Sequence, residues 1–180
     1  LKLKRVIHSL RQFRDWHKIV GLSVAFFLFI SALTGILLAL KKEFDLLQPP
    51  TQKGESRTLD TWKPVAELAD IAQKAFARAH PDLADNPIDR MDVRPSKGIV
   101  KVLFENGYWE VQVDGTTGAV KSIARRHSDW IEHLHDGSIV NDWFKLVSMN
   151  YLGLGVLILI FSGLWLWYGP KIVRKLKQQS

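Results

Sequence analysis

The sequence contains no cysteine. A chain without thiols forms no disulfide, holds no cysteine-ligated iron–sulfur cluster and offers no C-x-x-C-H attachment for haem. Any redox cofactor would therefore be held by histidine and by shape. Also missing are a Ser-His-Asp arrangement, a zinc-type H-E-x-x-H, a phosphate loop and a dinucleotide fingerprint, which leaves hydrolase and nucleotide chemistry little to stand on. A third deficit is local: no charged residue occurs between Ile19 and Leu40, or between Leu146 and Tyr168. Each run exceeds the roughly 20 residues needed to cross the hydrocarbon core. Backbone amides in such runs must be bonded within the segment, so both are expected to be transmembrane helices. The mean hydropathy of −0.02 averages these runs with a polar middle. The first run is too long for a usual signal-peptide core and no small-x-small cleavage site follows it, so it reads as an uncleaved anchor.

Charge, where it is present, is mostly positive, with 25 Lys and Arg against 18 Asp and Glu. Lys2, Lys4, Arg5, Arg11, Arg14 and Lys18 precede the first apolar run, and Lys171, Arg174, Lys175 and Lys177 follow the second. Lys41, Lys42 and Lys145 on the other side do not reverse the asymmetry, so both termini are expected to be cytoplasmic and the middle of the chain outside. The basic surplus sits where anionic headgroups are, which makes it a signature of topology and lipid contact and argues against nucleic-acid binding.

About a hundred residues between the spans suffice for a small domain. The stretch "LLQPPTQKGESRTLD" reads as a linker. "KPVAELADIAQKAFARAHP" places Val65, Leu68, Ile71, Ala75 and Phe76 at helical spacing, with Pro64 near its start and Pro81 beyond its end. "IDRMDVRP", "GIVKVLFE", "YWEVQVDG" and "AVKSIARR" are short runs rich in β-branched and aromatic residues, divided by glycine-containing turns, and predict an antiparallel meander of three or four strands. Helix and meander can bury a face of each against the other as an α+β domain. "HSDWIEHLHDG" predicts a short helix opened by Ser128 or Asp129 and closed near Gly137. The expected organisation is a basic cytoplasmic segment 1–18, a transmembrane helix 19–40, a linker 41–61, an α+β domain 62–126, a short helix and connector 127–145, a transmembrane helix 146–168 and a basic tail 169–180.

The histidines are the candidate ligands. His17, between Trp16 and Lys18, reads either as an interfacial anchor or as a metal ligand. Gly21 lies one turn further on the same face, and its missing Cβ leaves room for a flat macrocycle against the backbone. His133 and His135 lie near the outer end of the second span. Two residues apart on a helix, they point to different faces and cannot share one metal unless the segment is extended, so one is a ligand candidate and the other a residue that supports the ligand or faces substrate; the plain alternative is a solvated turn with two surface histidines. His80, at the end of the amphipathic helix, fits capping better than ligation. His8 and His127 have no partner at metal-binding spacing. Glu110 and Asp114, in the strand and turn of a hairpin, read as structural. Trp62, Tyr108 and Trp109 are either core or substrate contacts, and aromatics of small β-domains are more often core.

"FRDWHKIVGLSVAFFLFISALTGILLAL" resembles the first span of the PepSY-associated transmembrane-helix family, with its His, the following Gly and the Thr-Gly near the far end. "GYWEVQVDGTTGAVKSI" is similar to the end of a PepSY domain, and "HLHDG" before the second span matches the family's second histidine, with His135 the better fit. The resemblance covers nearly the whole chain, in the family's order. It implies a bacterial inner-membrane protein similar to haem-containing reductases that release iron from ferric complexes and siderophores for ferrous uptake, with residues 62–126 as a periplasmic PepSY-like domain. On that resemblance haem b would be bound without covalent attachment by His17 and by His135 or His133, Gly21 would make room for the ring, and Arg14 or Lys18 would pair with propionates. Electrons would come from a cytoplasmic donor or from quinol and pass to ferric iron, free or siderophore-bound. The other reading is a non-catalytic PepSY module that binds or regulates a periplasmic protein or protease. The cytoplasmic edge offers His17 and only the remote His8 besides, so bis-imidazole ligation there calls for a homodimer, in which His17 of two chains would clasp one haem and His135 of each chain a second. Ser31, Gly35, Gly153, Gly155 and Gly163 are small enough to permit close helix approach.

Overall fold

In the computed structural model, which describes residues 2–178, the chain runs through α1 (Lys2–Ala39), α2 (Val65–Ala79), β1 (Ile88–Arg94), β2 (Ile99–Phe104), β3 (Trp109–Asp114), β4 (Val120–Arg125), α3 (His127–Asp136) and α4 (Asp142–Gln178). Two units are distinguishable: residues up to Ile36 together with those from His133 onward, and Leu37–Glu132.

α1 and α4 contain the two charge-free runs and are long and apolar enough to cross a membrane. Both outgrow the runs. α1 continues back through the basic residues 2–18 and α4 forward through 169–178. The reason is local: residues 2–18 contain no glycine or proline and are rich in Leu, Lys and Arg, all good helix formers. Pro170 inside α4 removes one backbone donor without ending the helix. Leu1, Gln179 and Ser180, at the ends of the expected basic segments, lie outside the described residues. Side chains on the helices' outer surfaces are apolar and uncovered, as Leu22 at 82% and Phe29 at 68% exposure illustrate. In water such a surface would be costly, whereas hydrocarbon accepts it.

The Leu37–Glu132 unit is an α+β domain with one helix on a four-stranded antiparallel sheet in the order β1-β2-β3-β4. Alternation in β2 and β3 sends Val100, Val102, Phe104, Val111 and Val113 to one face, where Leu68, Ala72 and Phe76 of α2 close the core. Trp62 and Trp109 pack against that core, which assigns them to structure. His80 stacks on Trp109 with ring centroids 4.1 Å apart, so its side chain packs beyond the helix end while its backbone N–H donates to the Phe76 carbonyl.

The opposite face of the sheet is polar and still buried, carrying Lys101, Glu110, Gln112 and Asp114. Residues 41–61, expected as a linker, supply its cover. The Gln52 backbone N–H donates to Gln112 Oε1 at 2.8 Å, Gln112 Nε2 donates to the Pro50 carbonyl at 3.1 Å, and the Glu55 N–H donates to Asp114 Oδ2 at 2.9 Å. Glu110 sits at the centre, receiving Lys101 Nζ at 3.2 Å, Arg126 Nη1 at 3.0 Å and Gln112 Nε2 at 2.7 Å. Both oxygens of this buried carboxylate are thereby satisfied. Asp114 is held below its ordinary value: burial opposes its charge, but backbone N–H donors of Thr117, Thr116 and Glu55 outweigh that cost.

Candidate functional site

Within the two-helix unit, α1 and α4 run antiparallel, and their contacts follow in reverse order. Leu10 faces Gly169, Val24 faces Gly155, and Phe27 meets Tyr151 with ring centroids 6.1 Å apart. A Cβ at Gly155 would come within 2.6 Å of Val24 Cγ1, so glycine is what lets the helices close there. The Val24–Gly155 and Phe27–Tyr151 contacts lie between two polar pairs.

The first pair joins His17 of α1 to Ser162 of α4, with Nδ1 and Oγ 2.8 Å apart. Ser162 is 2% exposed, and its hydroxyl also reaches the Ile158 carbonyl four residues back at 2.6 Å. Gly163 follows it, and a Cβ there would stand 3.5 Å from His17 Cε1, so the imidazole lies over a residue without a side chain. A largely apolar groove of about 450 Å³ opens beside the pair, lined by Gln12, Phe13, Trp16, Ile158, Phe161 and Ser162.

The second pair repeats the arrangement with α1 now supplying the hydroxyl and α3 the imidazole. His135 Nδ1 lies 2.9 Å from Oγ1 of Thr34, a buried α1 residue whose hydroxyl reaches the Ile30 carbonyl four residues back at 2.7 Å. Gly35 follows Thr34, and its Cβ would stand 3.4 Å from His135 Cε1. A smaller cavity of about 190 Å³ adjoins His135, with Phe26, Phe27, Ile30 and Leu152 among its walls. Seventeen positions of α1 separate His17 from Thr34, about 25 Å at roughly 1.5 Å of rise per residue. The two imidazoles thus belong to separate levels of the helix pair.

His135 reaches Thr34 from the last turn of α3, and the chain must reverse immediately after it. Gly137 makes the turn at φ +81°, a conformation open to glycine. Ser138 caps Asp136 through its N–H and hydroxyl, at 2.9 and 2.6 Å, and Lys145 Nζ of α4 reaches the other oxygen at 2.5 Å. Burial works against the Asp136 charge, but Lys145 and Ser138 hold its carboxyl down at about 2. This fixed turn sets where His135 points.

The structure separates the two outer histidine candidates, for His135 is turned inward to Thr34 and His133 is exposed. Gly21 faces α4, where a Cβ would meet Leu159 at an ordinary 3.5 Å, so packing within the pair does not by itself require glycine there. Arg14 lines a groove with Arg11 and Arg174 between the helix extensions, and Lys18 is exposed. His8 and His127 are surface residues. Of the small residues considered for contact between chains, Gly35, Gly155 and Gly163 face partners within this chain, while a Cβ at Gly153 would meet nothing within 4 Å.

Sequence reasoning missed Ser162, and it marked Thr34-Gly35 only as part of the resemblance, with no role for the hydroxyl. The available signal was a hydroxyl residue followed by glycine in each apolar run, Thr34-Gly35 and Ser162-Gly163. Among the described residues no three His, Asp or Glu side chains converge on one point, so neither imidazole belongs to a chelating cluster. A lone imidazole on an apolar wall suits a metal whose remaining ligands come from a macrocycle. A family described as the PepSY-associated TM region matches residues 14–179. No curated protein matches the chain.

Proposed function

The chain belongs to the PepSY-associated TM family, and from that premise we propose that it is a bacterial inner-membrane haem b protein. It carries electrons outward across the membrane to ferric iron, free or siderophore-bound, so that ferrous iron can be taken up. The observation that supports this reading best is the repeated inward placement of an imidazole at two levels of an apolar helix pair, His17 against Ser162 and His135 against Thr34.

The donor set fits haem b. Each level has one imidazole, a glycine beneath it and an adjoining apolar cavity, and no thiol competes for the iron. His17 and His135 would be the protein's ligands, and Arg14 or Lys18 would receive propionates at the cytoplasmic edge. When bound, haem supplies one-electron ferric/ferrous chemistry. The chain's own part is to hold and orient the ring through the imidazoles and to keep water out with the surrounding Phe, Ile and Leu side chains. A second copy of the chain would bring a second imidazole to each level if the two-fold axis passes beside His17 and His135, since only residues at the axis meet their own copies. The basic flanks favour cytoplasmic termini and a periplasmic Leu37–Glu132 domain, with a cytoplasmic reductant or quinol as electron source.

The test is spectroscopic. Full-length protein purified from haem-replete cells should show a reducible Soret band. His17→Ala should remove one low-spin haem per dimer, and His135→Ala should remove the other and abolish ferric reduction. A colourless wild-type protein would instead favour a non-catalytic module that binds or regulates a periplasmic partner. Unchanged haem content in His17→Ala would reduce His17 to an interfacial anchor. Alkaline phosphatase fused after Gly118 should be active and fused after Ser180 inactive if the orientation holds.

A further inference from the structure

Each hydroxyl that meets a histidine has only one hydrogen and three groups within reach of it, one of them a more distant carbonyl: Leu159 at 3.2 Å from Ser162 Oγ, and Ser31 at 3.2 Å from Thr34 Oγ1. Ser162 Oγ lies 2.6 Å from the Ile158 carbonyl and 2.8 Å from His17 Nδ1, and Thr34 Oγ1 lies 2.7 Å from the Ile30 carbonyl and 2.9 Å from His135 Nδ1. A carbonyl can only accept, whereas an imidazole nitrogen can accept or donate according to its tautomer. If the hydroxyl hydrogen goes to the carbonyl, the ring must donate Nδ1–H to the hydroxyl oxygen, and every contact is satisfied. If the hydroxyl hydrogen goes to the ring, the helix carbonyl loses that donor and the ring's proton moves to Nε2. No described residue offers Nε2 of either half-buried ring a hydrogen-bond partner, so at the surface of a helix pair in hydrocarbon that N–H would find no acceptor.

We propose that Ser162 and Thr34 are positioning residues that lock His17 and His135 as Nδ1–H tautomers and so leave the Nε2 lone pair of each ring free for an iron. The same geometry arises twice from unrelated stretches of sequence, once with the imidazole on α1 and the hydroxyl on α4 and once with the hydroxyl on α1 and the imidazole on α3, so it is not an accident of one side-chain rotamer. In each case the hydroxyl is itself buried and held by its own helix, which fixes the ring's direction as well as its tautomer. An acceptor on Nδ1–H also makes the opposite nitrogen a stronger donor, the usual service of an outer partner to a metal-bound histidine. Only the identity of what Nε2 binds rests on the haem reading. The tautomer is a property of the chain alone.

The experiment is therefore done first without haem. Full-length protein labelled with 15N-histidine and prepared free of haem in detergent is examined at a pH where imidazole is neutral, and His17→Gln and His135→Gln assign the signals. Both residues should show a protonated Nδ1 and an unprotonated Nε2. Ser162→Ala should move the His17 signals toward the Nε2–H form and leave His135 unchanged, Thr34→Val should do the reverse, and Ser162→Thr and Thr34→Ser should restore the original pattern. Nε2–H imidazoles in the wild-type protein would overturn the proposal, as would indifference of His17 to Ser162→Ala. A protein with Nδ1–H histidines that takes up no haem would sink the haem reading and leave this one standing.

Discussion

In the sheet domain the buried polar groups are charged. Glu110 is closed in by Lys101 and Arg126, Asp114 by backbone donors, and the valines and phenylalanines lie on the other side of the sheet. In the helix pair the buried polar groups carry no obligatory charge. They are the hydroxyls of Thr34, Ser148 and Ser162, two of them paired with half-buried imidazoles, and many large apolar side chains face outward. The contrast follows from the surroundings each unit is built for. A domain in water can bury an ion if partners saturate it and apolar packing covers the rest. A helix pair in hydrocarbon gains nothing from hiding apolar groups and closes instead through small residues and short polar bridges. Chemistry is therefore easier to place in the second unit, where a buried polar atom has few reasons to exist beyond packing or ligation.

This comparison can be broken most severely at Glu110. Glu110→Gln leaves Lys101 and Arg126 buried against a neutral amide, and denaturant unfolding of the full chain should show a loss of about 3–5 kcal/mol in the domain transition. Replacing Lys101, Glu110 and Arg126 together by Met, Leu and Met should cost far less, because the isolated ion is what destabilises. If the single and triple variants are equally unstable, the charges are not acting as a unit. A loss of similar size, about 3–5 kcal/mol, is expected for Phe76→Ala, which empties the apolar side of the sheet. Circular dichroism should show α1 and α4 still helical after that domain has unfolded.

Gly155→Val addresses the other region. Its side chain would collide with Val24, and overpacking of about 1–3 kcal/mol should lower the thermal midpoint in detergent. Val24→Ala in the same chain should recover most of it, which a general dislike of valine at residue 155 would not allow. The smallest effect is acidic. The Asp114 carboxyl titrates below its ordinary 3.8 in the folded chain, so its contribution is complete above that value and is lost as pH falls through the lower folded one. Asp114→Asn should flatten this part of the domain's acid unfolding curve and leave the helix pair's curve unchanged.

Much of the architecture was legible because it rests on local periodicity. The charge-free runs, the spacing of Val65, Leu68, Ile71, Ala75 and Phe76, and the alternation of Val100, Lys101 and Val102 each announce an element without reference to the rest of the chain. What the pattern could not say is that Lys101 is buried. Alternating valine and lysine reads as a strand with one face in water, and only the return of Pro50–Glu55 across the sheet makes that face interior. The candidate site divides in the same way. His17 and His135 stand out as imidazoles beside apolar runs, whereas Ser162 and Thr34 acquire meaning only from which residue of one helix lies opposite which residue of the other. That register is set by Gly155 against Val24 and Gly169 against Leu10, contacts far apart in sequence.

The reversed order of contacts along α1 and α4 also makes the two histidine levels separable by phase. One extra residue inserted in α4 between Gly155 and Ser162 would turn everything beyond it by about 100°, swinging Ser162 away from His17. Thr34 and His135 lie on the other side of the insertion and would keep their alignment. Azimuth along a single shaft thus addresses each level independently, without touching either imidazole.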